Sequence, residues 1–256
     1  MKSLMAFIKK EIMEQVRTKK LMILGILFVV FGIMSPVIAK SIPLLLKEFG
    51  ETLAESGMSV TETEVSAMDS WVQFFKNIPM ALIAFVILES GIFTREYRSG
   101  TLVLSLTKGL ERYKVVISKT LILVILWSIG YWVCFGITYV LSDYFWDNSV
   151  AQNLIFSVMC CWVFGIWVIM LMILFSTLFS SNIGVLAGTG GVVLAFTLLN
   201  IIPKIKEYFP TMLMDGNSLI YGFIEMKTYI VPLIISGITG VICLVVSIPI
   251  FNKKHL

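Results

Sequence analysis

Six long apolar runs constrain the fold of this chain more than any other feature of its sequence. Each is long enough to cross a hydrocarbon layer of about 30 Å as an α-helix that rises about 1.5 Å per residue. Of the 256 residues, 58% are hydrophobic and only 14% are charged, which is more apolar surface than a soluble domain of this length could bury. The sequence therefore predicts a single-domain, all-α membrane protein. Its six spans are expected at 21–39, 71–93, 115–141, 151–179, 183–202 and 229–251.

Three other segments complete the predicted domain. Residues 1–20 carry apolar residues at every fourth position from Leu4, between cations, and predict an amphipathic interfacial helix. A continuous extension of the first span fits the same pattern. Segment 94–114 is a charge-rich cytoplasmic segment. Segment 203–228 is broken by proline and glycine, and predicts short helices on the outer surface because its apolar pieces are too short to span.

The basic residues predict the orientation of the chain. Of the 20 lysines and arginines, 14 lie on one side and six on the other if both termini are cytoplasmic. The positive-inside bias therefore predicts a multi-pass membrane protein with both termini inside and a polar loop at 40–70 outside. We expect the membrane to be the cell membrane of a bacterium. A signal peptide over the first run is the alternative. The run is longer than a typical signal core and lacks an A-x-A site before Ala39.

Several function classes lack the residues that they need. The only histidine is His255, at the end of the chain, so zinc-binding histidine pairs and serine–histidine relays are excluded. All four cysteines lie within predicted spans, where they are expected to pack rather than to bind metal or form disulfides. No G-x-x-x-x-G-K-[ST] phosphate loop occurs. We therefore expect no catalytic residue, metal or bound cofactor, and the net charge of +4 does not predict a nucleic-acid partner.

Glu89 is an acidic residue inside a predicted span, where a charge at the membrane centre costs about 2.5–3.5 kcal/mol. It lies about 6 Å from the predicted end of its span. We expect it to reach cytoplasmic water or to pair with Arg95, so that Glu89→Gln is tolerated better than charge reversal at Arg98 or Glu96. A role in proton coupling or along a transport pathway is the alternative.

Two glycines in the fifth span, Gly184 and Gly188, form a G-x-x-x-G pair. Small residues at this spacing allow the backbones of two helices to approach closely in lipid. The pair therefore predicts a close helix contact, either with another span of the same chain or with a second protomer.

The segment between spans two and three carries a short motif. In order, it consists of Glu96, Gly100, Thr101, Leu102, Arg112 and Lys119. This E-x-x-x-G-T-L pattern, followed by R and K, resembles the permease subunits of ABC type-2 exporters. The amphipathic N-terminal helix, the six spans and the outer insertion resemble them as well. The chain departs from the family in lacking a proline near Gly109.

The resemblance implies a transport subunit with no ATP site of its own. Two copies, or one copy and a related permease, would assemble with two ABC ATPase subunits that bind ATP and magnesium. Segment 94–114 would hold the coupling helix, and spans one, two and five would surround the pathway. The residues expected to serve ATPase coupling are Glu96, Arg98, Gly100, Thr101, Leu102, Leu106 and Arg112. An ATPase cleft is expected to cover Leu102 and Leu106, so that aspartate at either position would weaken association.

The cargo implied by the resemblance is a hydrophobic or amphipathic peptide, an antibiotic or a lipid, with the surrounding membrane lipid as a further partner. An ion-coupled secondary transporter is one alternative function. It is disfavoured because predicted spans three, four and six contain no Asp, Glu, Lys or Arg apart from Lys119, too few groups for a proton relay. A membrane-embedded protease is weaker still without histidines. A non-catalytic accessory or immunity protein that acts by binding is the third alternative, and co-purification of an ATPase would distinguish it.

Overall fold

The computed structural model describes residues 2–55, 65–107 and 109–254, and these residues form helices and turns without a β-strand. The α-helices are α1 (Lys2–Arg17), α2 (Lys20–Glu55), α3 (Ala67–Glu89), α4 (Gly91–Ser99), α5 (Thr101–Thr107), α6 (Arg112–Phe145), α7 (Leu154–Leu178), α8 (Asn182–Leu199), α9 (Pro203–Lys206), α10 (Gly216–Ile220) and α11 (Ile230–Lys253). Short 3-10 turns lie at Asn148–Val150, Pro210–Met214 and Met226–Tyr229.

Six helical stretches of the described chain are long and apolar enough to cross a membrane. They are Lys20–Leu44, Ala67–Ser99, Arg112–Phe145, Leu154–Leu178, Asn182–Leu199 and Met226–Lys253. The prediction of an all-α membrane protein with six spans is therefore confirmed. We call the end of the bundle that holds α1, α4, α5 and the last residues of α11 the basic end, and the opposite end the far end.

The first spanning helix is longer than the sequence predicts. α2 continues through Pro36 and Pro43 to Glu55, so the first part of the predicted polar loop at 40–70 is helical; residues 56–64 lie outside the described chain. Pro36 has no N–H to bond the carbonyl of Gly32, four residues earlier. The hydroxyl of Thr138 in α6 donates to that carbonyl at 3.0 Å. The freed backbone group is thus satisfied by a neighbouring helix, which is how membrane helices tolerate proline.

The predicted second span, 71–93, is divided in the structure. α3 ends at Glu89, and α4 starts at Gly91 after a turn at Ser90. Sequence reasoning did not predict this break, although it falls at the adjacent Ser90 and Gly91, and Gly/Ser pairs are common sites of helix kinks. The break starts a separate short helix, α4, whose side chains contact several other helices.

Trp127 of α6 is the centre of the core. Its buried ring contacts Phe28 of α2 and Phe85 of α3 edge-on, with centroids 5.8 and 5.6 Å away. Its indole N–H donates to the carbonyl of Trp162 in α7 at 3.2 Å. A side chain on Gly165 of α7 would lie 2.2 Å from the indole, so glycine is what lets α7 approach this ring. Four spans therefore meet at one aromatic side chain.

The far end is closed by the segment between α8 and α11. Asp215 organises it: its carboxylate pairs with Lys206 at 2.9 Å and accepts from Ser218, and its carbonyl accepts from the Tyr229 hydroxyl at 2.8 Å. Burial alone would raise the pKa of Asp215, but the bonds from Lys206 and Ser218 hold that pKa below its ordinary value. The ionised carboxylate thus joins α9 to α10, and the backbone carbonyl of Asp215 joins them to Tyr229, directly before α11.

Candidate functional site

Helix α1 presents two different faces, one buried and one exposed. Its buried face holds Phe7, Glu11 and Gln15, which are four residues apart and so lie in one row. Apolar residues such as Ile12 and Val16 are exposed on a second face, which suits contact with lipid. α1 ends at Arg17 and a turn at Lys19, whose φ is 57°, separates it from α2. The helix therefore folds back on the bundle instead of extending the first span.

Glu11 of this buried face and the half-exposed Lys10 beside it complete, with Glu96 and Lys119, a group of four charges that we call the buried ion cluster. The ammonium group of Lys119 is fully buried and lies 2.9 Å from both Glu11 and Glu96. It also donates to the carbonyl of Ile92 at 2.9 Å. Lys10 pairs with both carboxylates as well. The cluster is electrically balanced, which is what makes its burial tolerable.

The two lysines determine what the cluster is suited to bind. Carboxylate oxygens of Glu11, Glu14 and Glu96 lie within 4.8 Å of one another, a spacing that a cation could use. Lys10 and Lys119 already occupy that space, however, and neutralise two of the carboxylates. Burial alone would lower the pKa of Lys10, but its bond with Glu96 and the charges of Glu11 and Glu96 raise that pKa above its ordinary value. The arrangement fits structural ion pairing better than a metal site.

Glu89 belongs to a second buried pair. Its carboxylate accepts from Lys20 at the start of α2 and from the amide of Gln15, both at 2.9 Å. Glu89 is fully buried. The expectations that it reaches water and pairs with Arg95 are therefore wrong. The turn at Ser90 and the six-residue spacing place Arg95 on another face, where it is exposed, and α1 covers Glu89 instead.

Arg112, expected to serve ATPase coupling, is engaged within the chain. Its guanidinium donates to the carbonyls of Phe251, Asn252 and Lys254 at 2.8–3.0 Å, and so caps the end of α11. Lys254 in turn donates to the carbonyls of Thr177 and Phe179 at the end of α7. Cations at helix C-termini satisfy orphan carbonyls and complement the helix dipole. These bonds join three helix ends.

Helices α4 and α5 form the most accessible part of the predicted motif. Gly100 joins them with a φ of 67°, a conformation that glycine adopts without strain. Leu102 is only 1% exposed and packs in the core of its own chain, while Leu106 is half-buried against the same core. An ATPase cleft is therefore not what covers Leu102, and that expectation is wrong.

The exposed residues of this hairpin define what we call the α4–α5 surface. They are Arg95, Arg98, Ser99, Thr101, Val103 and Thr107. Two cations and one apolar side chain thus face outward. Lys108, counted among the cytoplasmic cations from the sequence, lies outside the described residues.

Gly184 and Gly188 of α8 both face their own chain. A side chain at Gly184 would meet Phe179, and one at Gly188 would lie 2.5 Å from the ring of Phe175. The close approach at this pair is therefore between α7 and α8 of one chain.

Sequence reasoning missed most of the buried polar contacts at the basic end. Sequence reasoning treats Lys10 and Lys20 only as cytoplasmic cations and singles out neither Glu11 nor Gln15. Two signals pointed to them. Glu11 and Gln15 share a helical row with Phe7, and Lys119 in a predicted span needed a partner.

Replacing Glu89 by glutamine tests the buried pair. We expect Glu89→Gln to destabilise the protein by about 3–5 kcal/mol, because Lys20 is left charged and unpaired in the interior. Glu111→Gln is the matched control, since Glu111 pairs with Lys114 at the surface, and should leave stability unchanged. The measurement is the midpoint of thermal unfolding in detergent. Lys20→Met should restore part of the loss in Glu89→Gln; equal midpoints for Glu89→Gln and the wild type would contradict the assignment.

The comparisons with known proteins agree with this architecture. The sequence profile of the family described as ABC-2 family transporter protein matches residues 5–256, nearly the whole chain. No curated protein sequence matches the chain significantly. The resemblance drawn from the motif and the six spans is confirmed. Membership implies an ABC-type permease, a membrane subunit without an ATPase site of its own. The chain therefore belongs to the ABC-2 family of transporter membrane proteins.

Proposed function

We propose that this chain is the permease subunit of an ATP-driven exporter whose ATPase docks on the α4–α5 surface. The observation that carries the proposal is the anchoring of this exposed surface to buried charges. A separate ABC ATPase would bind ATP and magnesium, and a second permease, identical or related, would complete the assembly. A push on α4 is then transmitted to helices that cross the membrane.

The contacts of α4 support this coupling role. Glu96 binds α1 through Lys10 and α6 through Lys119. The hydroxyl of Tyr97 donates to the carbonyl of Ser176 in α7 at 3.1 Å. Because separating buried opposite charges costs several kcal/mol, α4 and the attached helix ends are expected to move together.

The buried charges argue against an ion-coupled secondary transporter. Glu11, Glu89 and Glu96 each pair with a lysine at about 3 Å or less. A carboxylate that carries protons has to release its partner in each cycle. These pairs instead resemble fixed structural contacts, which favours a transporter powered by its ATPase.

Val103 provides a direct test of the docking surface. Val103 is 39% exposed on α5, so a change there alters the surface. Leu102 is buried, and Leu102→Asp would disturb the permease core itself. We expect Val103→Asp to reduce co-purification of the co-expressed ABC ATPase about tenfold or more, since an uncompensated charge at an interface costs several kcal/mol. Val150→Asp, at the far end, should have no effect. Full retention of the ATPase by Val103→Asp would place the docking surface elsewhere.

The orientation follows from the same surface. We infer that the basic end is cytoplasmic, which is supported by the cations of α1, α4 and α6. In a cysteine-free background, Tyr144→Cys at the far end should react with an impermeant maleimide on intact cells. Arg98→Cys should react only after permeabilisation. The reverse pattern would invert the topology. Ser59, in the predicted outer loop, lies outside the described residues.

An apolar groove between α3 and α8 supports a hydrophobic or amphipathic cargo. It consists of two adjoining cavities of about 170 and 260 Å³ that share Leu82, Ile83 and Val193. Thr189 lines it, is buried, and has a hydroxyl without a partner among the described residues. A mostly apolar groove with an occasional hydrogen-bonding group suits an acyl chain or an apolar peptide face. Spans two and five supply most of its lining.

Filling this groove should impair export. Ile83 and Ile129 are equally exposed, at 60% and 61%, but only Ile83 lines the groove. In inverted vesicles given ATP, a fluorescent amphipathic peptide should accumulate with the wild type and with Ile129→Trp. Ile83→Trp should reduce this accumulation about tenfold, because the indole occupies the groove. ATP-driven loss of the peptide from the vesicles would show import, and equal transport by the two variants would remove the groove from the pathway.

A further inference from the structure

Helix α8 is the least enclosed of the six spans. Among its residues, only Val185 and Thr189 are buried. It packs chiefly on α7 and on the Pro210–Met214 turn. An element with few buried contacts is displaced at low cost. The contacts at its ends therefore have a large influence on where it lies.

The start of α8 is tied to α4 by a side-chain hydrogen bond. The hydroxyl of Thr94, which is fully buried, donates to the side-chain carbonyl of Asn182, the first residue of α8. Asn182 does not cap its own helix. That role belongs to Ser181, whose hydroxyl accepts from the N–H of Gly184 at 3.1 Å. The amide of Asn182 is thereby available for a contact with another helix.

Gly91 makes the close approach of these two helices possible. A side chain there would lie 3.3 Å from the amide nitrogen of Asn182 and 3.0 Å from the guanidinium of Arg95. Both distances are tighter than ordinary contacts between such atoms. With glycine at this position, the start of α8 lies directly against α4.

Helix α4 thus has contacts in two directions. Thr94 and Tyr97 are three residues apart on one face, and they bind α8 and α7. Glu96, on another face, belongs to the buried ion cluster with α1 and α6. Arg95 and Arg98 remain exposed on the α4–α5 surface.

We propose that the Thr94–Asn182 hydrogen bond is the positioning link that makes α8 follow the displacement of α4, an inference that rests on the proposed function. α8 supplies one wall of the groove, and α3, which supplies the other, is directly followed by α4. When the first residue of α8 moves with α4, the width of the groove between α8 and α3 changes. Without the bond, α8 keeps its packing on α7 but loses its direct link to α4, so that it follows α4 less closely.

The test uses the permease–ATPase complex in liposomes, with an environment-sensitive bimane dye on Leu198→Cys in a cysteine-free background. Leu198 is exposed on α8. The emission is compared between the nucleotide-free complex and the complex trapped with Mg-ATP and vanadate. Thr94→Val removes the hydroxyl at nearly constant volume. It should shift the equilibrium between the two positions of α8 about fivefold, the factor that corresponds to one typical hydrogen bond, and so reduce the nucleotide-dependent emission change.

Three further variants separate positioning from general damage. Thr94→Ser keeps the hydroxyl and should keep the emission change. Thr120→Val is the matched control, because the buried Thr120 hydroxyl donates only to the carbonyl of Val116 in its own helix; it should also keep the change. Asn182→Leu removes the other partner and should behave like Thr94→Val, so the inference stays testable if one of the two variants folds poorly.

The possible outcomes are distinct. An unchanged emission response in Thr94→Val or Asn182→Leu overturns the link. No response at Leu198 in a wild-type complex that retains its ATPase also overturns it, and leaves the proposed function standing. Failure of the wild-type permease to retain any ABC ATPase overturns the proposed function and this inference together.

Discussion

The neutralisation of Lys119 is the interaction on which the basic end of this protein depends. A charged ammonium group inside a membrane-spanning bundle must find counter-charges within the protein, because neither lipid nor bulk water reaches it. Glu11 and Glu96 provide them, and each comes from a different helix. Forming this one contact brings α1 back over the bundle and holds α4 against α6. The position of the α4–α5 surface is therefore a consequence of charge balance in the interior.

Polar contacts between helices hold the rest of the bundle for the same reason. Lipid chains are as apolar as leucine, so burial of apolar side chains in the membrane gives little preference for one helix arrangement over another. Backbone groups left without partners are far more costly. Thr138 satisfies the carbonyl freed by Pro36, and Arg112 satisfies the last carbonyls of α11. Each such bond determines which two helices pack side by side and at what level along their axes they meet.

The sequence was sufficient to predict the spans but not to predict which residues pair with the buried charged side chains. Apolar length is a local property, so the six spans were predictable from it. The partner of Glu89 depends on long-range contacts. Sequence reasoning chose the nearby Arg95, whereas the fold places Lys20, 69 positions away in the sequence, beside Glu89. The prediction that an ATPase covers Leu102 was wrong for a related reason. An apolar residue on a cytoplasmic helix must be covered, but its pattern does not say whether its own chain or another protein covers it.

The two halves of the proposed mechanism require opposite kinds of packing, and the structure contains both. Transmission of force needs helices that move together, and the paired charges around α4 make their separation costly. Opening of a groove needs a helix that moves at low cost, and α8, with little of its surface buried, is such a helix. Since a stiff element and a loose one respond together only where they are joined, the contacts at the start of α8 decide whether movement of α4 changes the groove.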